Sequence, residues 1–465
     1  MKKLINYDLA ETGKPKYQLM VERLHGAVGA GQWRPGDRLP SNRELAALFG
    51  VTIGTVSKAM SEAVRRGIVE TRVGSGTYIR ELRPAAGAAE VGQPSLGAID
   101  LSLNVLPLAP VQVLLQAALA AHAQQQGSHR LFAYQEVQQR SRYRQTAAAW
   151  LASMGTPVEP QQILLTNGVH HGLLAAFHVL LQPGEMALCD ALCYTGFRRV
   201  ARLRGVRLVP VASDGDGMNP DSLEGAVRAS GARVLLVNPV LQNPTATTMP
   251  PERRQRIATL CRKHDLRVIE DAINVGLADP GTPSLAAHLP ERTVHLAGFS
   301  KSIASGFRLG YIAAPPEWLD DFQEAVLGIQ WFEPGFWAQL LEVMREEGLL
   351  DRCVQAHRAE ASVRQQLLRE SLPQAVVSGL GYHAWLACGD ERPSAQLCEQ
   401  ARRQGVSLSA AHHFNVDPAA AVPDGVRISL GSCEDRAELS QALALVAGLL
   451  RSDEGRLAAA AAPAV

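Results

Sequence analysis

The spacing of apolar residues changes character near residue 99. Beyond it, short apolar runs recur: Ile163–Thr166, Met186–Cys189, Arg207–Val211, Arg233–Val237, Arg267–Glu270, Thr293–Leu296 and Gly310–Ala313. Between them lie stretches in which apolar residues return every three or four positions, among them His170–Leu181, Leu223–Ala229 and Pro251–His264. This alternation predicts an α/β body, a mostly parallel sheet with helices on both faces. Residues from about 340 to 450 predict a small C-terminal α+β lobe.

The first 80 residues follow another pattern. Tyr17–Ala30 has helical spacing, and Gly31–Asp37 is rich in turn formers. Ser41 with Glu44 three residues on predicts a capping box that opens a helix over Asn42–Phe49, ended by Gly50. Thr52 is placed to cap the next helix, which runs to Arg66 and stops at Gly67. Ile68–Arg72 and Thr77–Arg80 flank Val73-Gly74-Ser75-Gly76 and predict a hairpin. Helix, turn, helix and hairpin together predict a winged helix-turn-helix. Its second helix would present Thr52, Thr55, Ser57 and Lys58 to the major groove. Arg43, Ser41, Arg72 and the wing tip Gly74, Ser75 and Gly76 would meet phosphates.

Glu81–Ala98 is rich in Ala, Gly and Pro without periodicity and predicts a flexible linker. The expected organisation is therefore a winged-helix domain at 1–80, a linker at 81–98, a body at 99–452 and a disordered Ala-rich tail at 453–465.

Composition narrows the class. No run of eighteen apolar residues exists among the 465, so no membrane-spanning helix is expected. The start lacks the apolar core of a secretory signal, and the seven cysteines are scattered. Cys189 and Cys193 suit neither a zinc knuckle nor a redox motif, and His412-His413 has no ligand partner at metal spacing. A cytoplasmic protein with reduced thiols and no metal is expected. The net charge of +1 hides an asymmetry: residues 1–80 hold 13 Lys and Arg against 7 Asp and Glu, and the rest holds 33 against 38. A basic head on a mildly acidic body points to polyanion binding by the head alone.

One stretch of the body stands out. Beyond residue 80 the only lysines are Lys263 and Lys301. Lys301 follows the run Thr293–Leu296 and sits between Phe299 and Ile303, where desolvation makes an ammonium a better nucleophile. In open α/β sheets ligands bind beyond the carboxyl ends of the strands. Asn167-Gly168, Asn243, Asp271 and Lys301 all fall there. A lysine, a carboxylate, an arginine and a helix N-terminus gathered in one place are what pyridoxal 5'-phosphate requires. The lysine forms the Schiff base, Asp271 keeps the ring nitrogen protonated, and Arg308 with Gly168-Val169-His170 holds the phosphate. Trp331, Phe332, Phe336 and Trp337 form an aromatic cluster, read as core or dimer packing or as a lid.

Two resemblances extend this reading. Pro35-Gly36-Asp37-Arg38-Leu39-Pro40-Ser41-Asn42-Arg43-Glu44-Leu45-Ala46, Gly50-Val51-Thr52, Thr55-Val56 and Gly74-Ser75-Gly76-Thr77 closely resemble the GntR-type DNA-binding domain. Many members carry Ser-Arg where this chain has Thr52-Ile53. Asn243-Pro244-Thr245, Ile269-Glu270-Asp271, Phe299-Ser300-Lys301 and Arg308-Leu309-Gly310-Tyr311 resemble fold-type I, aspartate-aminotransferase-like enzymes. That resemblance implies that Asn243 contacts the cofactor O3′ and that Tyr194 stacks on the ring. It implies that Ser300 lies at the cofactor and that Tyr134 reaches the phosphate of the other subunit of a homodimer. Arg427 would bind a substrate or effector carboxylate. Head, linker and body in this order resemble the MocR-type transcriptional regulators. Such a body senses pyridoxal phosphate, or an amino compound joined to it as an aldimine, while the head binds operator DNA.

The chain departs from the enzyme pattern. Ile273 and Asn274 stand where a tyrosine usually follows the aspartate, Gly298 replaces a hydroxyl residue, and Val169-His170 replaces Ser-Gln. Ala246 replaces a glycine, and Gln135–Gln139 lacks the usual glycines. These changes imply a site that keeps the cofactor with little or no turnover, unless His170 or Asn274 replaces the lost hydrogen bonds. A working aminotransferase with an appended DNA-binding domain is the alternative reading. A cofactor-free dimerisation scaffold is the third, opposed by the retained Lys301, Asp271 and Arg308.

Overall fold

The computed structural model describes residues 15–17, 19–21, 23, 37–65, 69–72, 76–79, 99–125, 137–278, 283–389, 392–417 and 422–461. The chain divides into two compact units, Met1–Ala89 and Glu90–Val465. The division falls inside the stretch expected to be a linker, which lies outside the described residues.

In the first unit, helices α1 (Asn42–Phe49) and α2 (Ile53–Arg65) precede a hairpin of β1 (Val69–Arg72) and β2 (Gly76–Ile79). The capping box forms: Glu44 N–H donates to Ser41 Oγ at 3.4 Å, and Ser41 N–H donates to the Glu44 carboxylate at 2.8 Å. Gly50 ends α1 at φ 61°, a left-handed conformation that glycine adopts freely. Met20, Val21, Leu39, Leu45, Val56, Ala59 and Val69 make one core. Arg38 bridges to Tyr78 and Leu39 N–H donates to Thr77 O at 2.8 Å, so a third short strand joins the hairpin. Of the first predicted helix, helical backbone is described between residues 16 and 23.

The second unit is built on a seven-stranded sheet. After β3 (Ile99–Asp100), helices α3 (Gln112–Gln124) and α4 (Val137–Ser153) lead into β4 (Ile163–Thr166), α5 (Val169–Leu180), β5 (Met186–Asp190), α6 (Thr195–Arg204) and β6 (Arg207–Val211). There follow α7 (Pro220–Ser230), β7 (Val234–Val237), α8 (Pro251–Lys263), β8 (Arg267–Asp271), β9 (Thr293–Gly298) and β10 (Gly310–Ala313). The strand order is β4-β10-β9-β8-β7-β5-β6, and β10 alone runs antiparallel to its neighbours. The seven predicted runs are these seven strands, with ends shifted by up to two residues.

The central strands are buried on both faces, as helix-covered parallel strands must be. Ile163 and Leu165 pack with Trp150 and Tyr311 on one face, and Leu164 and Ile312 pack with Phe177 and Phe197 on the other. Helices α9 (Leu319–Ile329) and α10 (Gly335–Glu346) complete the layers, and α11 (Leu349–Ser371) leads to the small lobe.

The lobe holds β11 (His383–Ala387), α12 (Ser394–Arg403), β12 (Val406–Ser407), β13 (Ser409–Ala410), β14 (Gly425–Ser429) and α13 (Arg436–Ala461). Its sheet order is β11-β14-β13. Two expectations are corrected here. The lobe does not begin near residue 340 alone: β3 pairs with β12, Ile99 opposite Val406, and Leu101 enters the lobe's core. The tail expected to be disordered from Asp453 continues α13 as far as Ala461, in keeping with the high helix propensity of alanine.

Three glycines let β9, β10 and the start of α5 meet. A Cβ on Gly310 would lie 2.7 Å from Gly168 C and 2.8 Å from Val169 N, both backbone atoms that no rotamer change can move. Gly310→Ala is expected to cost about 1–3 kcal/mol of stability through overpacking. Gly306→Ala, where nothing lies within 4 Å of the added atom, serves as the matched control. Thermal melts of the two variants measure the difference.

Candidate functional site

The carboxyl ends of β4, β5, β7, β8 and β9 open on one cavity of about 540 Å³. Lys301 reaches it from the turn after β9, anchored by buried Phe299, whose ring lies 4.8 Å from Trp150 and 5.8 Å from Tyr311. Its Nζ donates to the carbonyl of Asn104. Burial first, then the guanidiniums of Arg427 and Arg308, pull the ammonium down to about pKa 8, against the attraction of Asp271.

Asp271 ends β8 beside it. Burial pushes its carboxyl up to about 6. Its Oδ1 accepts from Ile273 N–H at 3.1 Å, and its backbone carbonyl accepts from Asn238 Nδ2 at 2.6 Å. Asn238 Oδ1 in turn accepts from Asn243 N–H at 3.0 Å, and Asn243 Oδ1 accepts from Arg427 Nη1 at 2.8 Å. One continuous set of bonds thus joins the acid of the sheet to the arginine of the small lobe. Arg427 projects from β14, its guanidinium 4.8 Å from the Phe414 ring centre, and its Nη2 donates to the carbonyl of Ser102.

At the other end, Gly168 precedes α5 at φ 75°. A Cβ there would lie 2.5 Å from Arg308 Nη2, so the guanidinium rests directly on this glycine. Val169 and His170 open α5 and line the cavity, as does Ser300. Desolvation, then Arg199 and Arg308, lower the pKa of His170 and favour the neutral imidazole. Tyr194 lies over Gly196 so closely that a Cβ on Gly196 would stand 2.1 Å from its ring.

The structure therefore brings together Lys301, Asp271, Asn243, Tyr194, Arg308, Val169, His170, Ser300 and Arg427 around one cavity. Asn274 lines it too. Its amide NH₂ donates to the carbonyls of Leu241 and Val240 at 3.0 and 3.5 Å, so it also braces that loop. Ala246 takes the left-handed φ of 58° at the position where the resemblance expects glycine. Tyr134 lies outside the described residues. The aromatic cluster divides: Trp337 packs on Phe307 at 4.9 Å, while Trp331 is 75% exposed.

Sequence reasoning missed the segment Ser102–Val105, which lines the cavity and whose Ser102 and Asn104 carbonyls accept from Arg427 and Lys301. It also missed His383, held near pKa 4 by burial, whose ring bonds Gln242 O at 3.0 Å and Asn104 Nδ2 at 3.4 Å. A neutral ring with Nε2–H donating and Nδ1 accepting satisfies both bonds.

In the first unit, Arg43 and Lys58 are exposed, and the Lys58 ammonium stands 4.4 Å from the Tyr17 ring centre. Ser41 and Thr52 act as caps, with Thr55 N–H donating to Thr52 Oγ1 at 3.2 Å. Ser57 Oγ accepts from Asn42 Nδ2 at 3.3 Å. Arg72 is described through its strand backbone only, and Gly74 and Ser75 lie outside the described residues. Gly76, at φ 117°, lies against Arg38, whose Nε would be 3.0 Å from an added Cβ. Arg38 is thus a wing cation that the sequence reading passed over.

Residues 97–445 match the family Aminotransferase class I and II, and residues 16–79 match Bacterial regulatory proteins, gntR family. The chain belongs to the aminotransferase class I and II family and carries a gntR-type DNA-binding head. That pairing is the architecture of MocR-type transcriptional regulators, and the relatives agree with it. The chain is 28% identical over 441 residues to the uncharacterized HTH-type transcriptional regulator YdeF of Bacillus subtilis, covering 94% of this chain and 95% of the relative. It is 27% identical over 449 residues to the HTH-type pyridoxine biosynthesis transcriptional regulator PdxR of Corynebacterium glutamicum, covering 92% and 95%. Among solved structures, the α-aminoadipate aminotransferase LysN of Thermus thermophilus, complexed with N-(5'-phosphopyridoxyl)-L-leucine, shares the fold. It aligns at a TM-score of 0.69 and 22% identity over 79% of this chain and 95% of that one.

Pyridoxal phosphate is the cofactor of this fold, and the residues present fit it. A buried lysine of depressed pKa, a carboxyl raised by burial, and a Cβ-free cradle under Arg308 occupy one cavity. Among the described residues no helix is long and apolar enough to cross a membrane.

The Lys301 shift sets a pH dependence. Only the unprotonated amine attacks a carbonyl. Borohydride-trapped labelling of Lys301 by pyridoxal phosphate should rise with pH and reach half its maximum near pH 8, not near the ordinary lysine value of 10.5. Mass spectrometry of the reduced peptide, sampled between pH 6 and 10, measures the profile.

Proposed function

We propose that this protein is a cytoplasmic, homodimeric regulator whose body senses an amino compound, or pyridoxal phosphate itself, and whose head binds an operator. The observation that carries the reading is Lys301, flanked by Asp271 and Arg427 in one cavity, with Ile273 where an enzyme would place a phenol. Bound cofactor would supply an electrophilic carbonyl and an electron-withdrawing ring. Lys301 would be the nucleophile that holds it, and Asp271 would keep a proton on its ring nitrogen. Tyr194 and Asn243 would contact the ring. Arg308, Ser300 and the first N–H groups of α5 would hold the phosphate. Arg427 clamps the carboxylate of an amino compound.

The bonds now made by Lys301 and Arg427 suggest the route to the head. They hold the carbonyls of Asn104 and Ser102, a few residues after β3, where the body takes over from the linker. A ligand that engages both side chains competes with both bonds and loosens that segment. Coupling of about 1–3 kcal/mol is enough for a switch. Exposed Val113 and Trp331, each 75% accessible, with Leu108 at 47% and Phe336 at 40%, support a homodimer.

Turnover is disfavoured. Ile273 offers no donor and Asn274 is committed to Leu241. A missing hydrogen bond of about 1–3 kcal/mol in the transition state slows chemistry roughly ten- to a hundredfold. Holo-protein mixed with candidate amino acids should show a rapid change of the cofactor absorbance and of operator affinity, with keto acid absent or slow. Fast multiple-turnover keto acid formation, without any effect on DNA binding, would identify an aminotransferase instead.

For the head, Arg38→Ala and Arg43→Ala should weaken binding to all DNA sequences alike and each lower the salt slope by about 1. Filter binding between 50 and 200 mM salt, on operator and on unrelated DNA, checks this. A loss confined to the operator would place these arginines at base edges.

A further inference from the structure

Three cations of the cavity have roles in the reading above, and a fourth does not. Arg199 lies on α6, four residues after Thr195, so the two share one helix face. Both line the cavity, as do His170 and Arg308. Among the described residues Arg199 makes no hydrogen bond and no ion pair. Its neighbour Arg198, by contrast, donates to His413 O at 2.5 Å. The cavity lining holds four permanent or titratable amines and guanidiniums, Arg199, Lys301, Arg308 and Arg427, against the single carboxyl of Asp271.

Two neighbours locate Arg199 in the cavity. Arg308 sits on Gly168, at the N-terminus of α5. His170, the second residue of the same helix, feels both guanidiniums. Arg199, Arg308 and the first turn of α5 therefore face the same part of the cavity. A group of two negative charges satisfies two guanidiniums there, and a phosphate monoester has that charge near neutral pH.

Gly298 explains why a second guanidinium is needed. A Cβ on it would lie 2.9 Å from Leu309 O and 3.1 Å from Gly310 Cα. The close approach of β9 to β10 leaves no room for the hydroxyl side chain of the enzyme pattern. We propose that Arg199 shares the cofactor phosphate with Arg308, in place of the donor that Gly298 cannot carry. This rests on the reading of the cavity as the cofactor site.

The test compares wild type, Arg199→Gln and Arg199→Lys in absorbance titrations with pyridoxal phosphate and with pyridoxal, which lacks the phosphate. We expect Arg199→Gln to weaken pyridoxal phosphate about ten- to a hundredfold while pyridoxal binds as in wild type, and Arg199→Lys to recover part of the loss. Inorganic phosphate should promote pyridoxal binding to wild type and do so less in Arg199→Gln. Equal loss of both ligands would make Arg199 a packing residue and overturn the proposal. So would unchanged pyridoxal phosphate affinity, including the case in which only the response to amino acids is lost. A wild-type protein that binds neither ligand would sink the cofactor reading itself, an outcome distinct from these.

Discussion

Burying an ammonium beside two guanidiniums is unfavourable, and the body is arranged so that it happens at Lys301. Desolvation and the fields of Arg427 and Arg308 act in the same direction, and only Asp271 opposes them. The chain holds this arrangement through backbone geometry. Lys301 follows the carboxyl end of strand β9, Phe299 pins the turn in the core, and parallel pairing of β8 with β9 sets Asp271 beside it. The bonds Asp271–Asn238–Asn243–Arg427 then tie the large sheet to the small lobe. A lysine placed in this way is poised to react with a carbonyl at pH values where surface lysines are protonated.

The two ends of the cavity are made by different means. Beside α5, Gly168, Gly298 and Gly310 allow strand, turn and helix to approach closely enough for the Arg308 guanidinium to rest on the N-terminus of the helix. The same closeness forbids the hydroxyl side chain found in the enzyme pattern. Beside the small lobe, Arg427 and Lys301 bond backbone carbonyls of the segment that follows β3, and neutral His383 steadies that segment through Asn104. Two cations of the cavity are thus also the side chains that hold the beginning of the body. An enzyme has no use for that coincidence beyond closing its active site, whereas a regulator can use it to report occupancy.

Much of this was legible in the sequence because the signals are local. Strands buried on both faces read as unbroken apolar runs, and a rare lysine after such a run marks a strand end. Ser41 and Glu44 announce their capping box within four residues. The misses are non-local. Pairing of β3 with β12 joins residues some three hundred positions apart and leaves no periodic trace. Ser102 and Asn104 act through carbonyls, which every residue has. Arg199 stands among Arg198, Arg202 and Arg204 on one helix, and composition cannot tell which of them faces the cavity. The bond from Asn274 to Leu241 O joins two loops more than thirty positions apart and likewise leaves no local trace.

The central claim is that chemistry at Lys301 governs DNA binding by a separate unit. The direct measurement is operator affinity of the full-length protein, with and without pyridoxal phosphate and an amino acid that shifts its spectrum, for wild type and Lys301→Ala. We expect wild-type affinity to change by about 5- to 150-fold on ligand addition. Lys301→Ala should bind the operator with the affinity of ligand-free wild type and show no response. A Lys301→Ala protein that responds to the ligands as fully as wild type would contradict the claim.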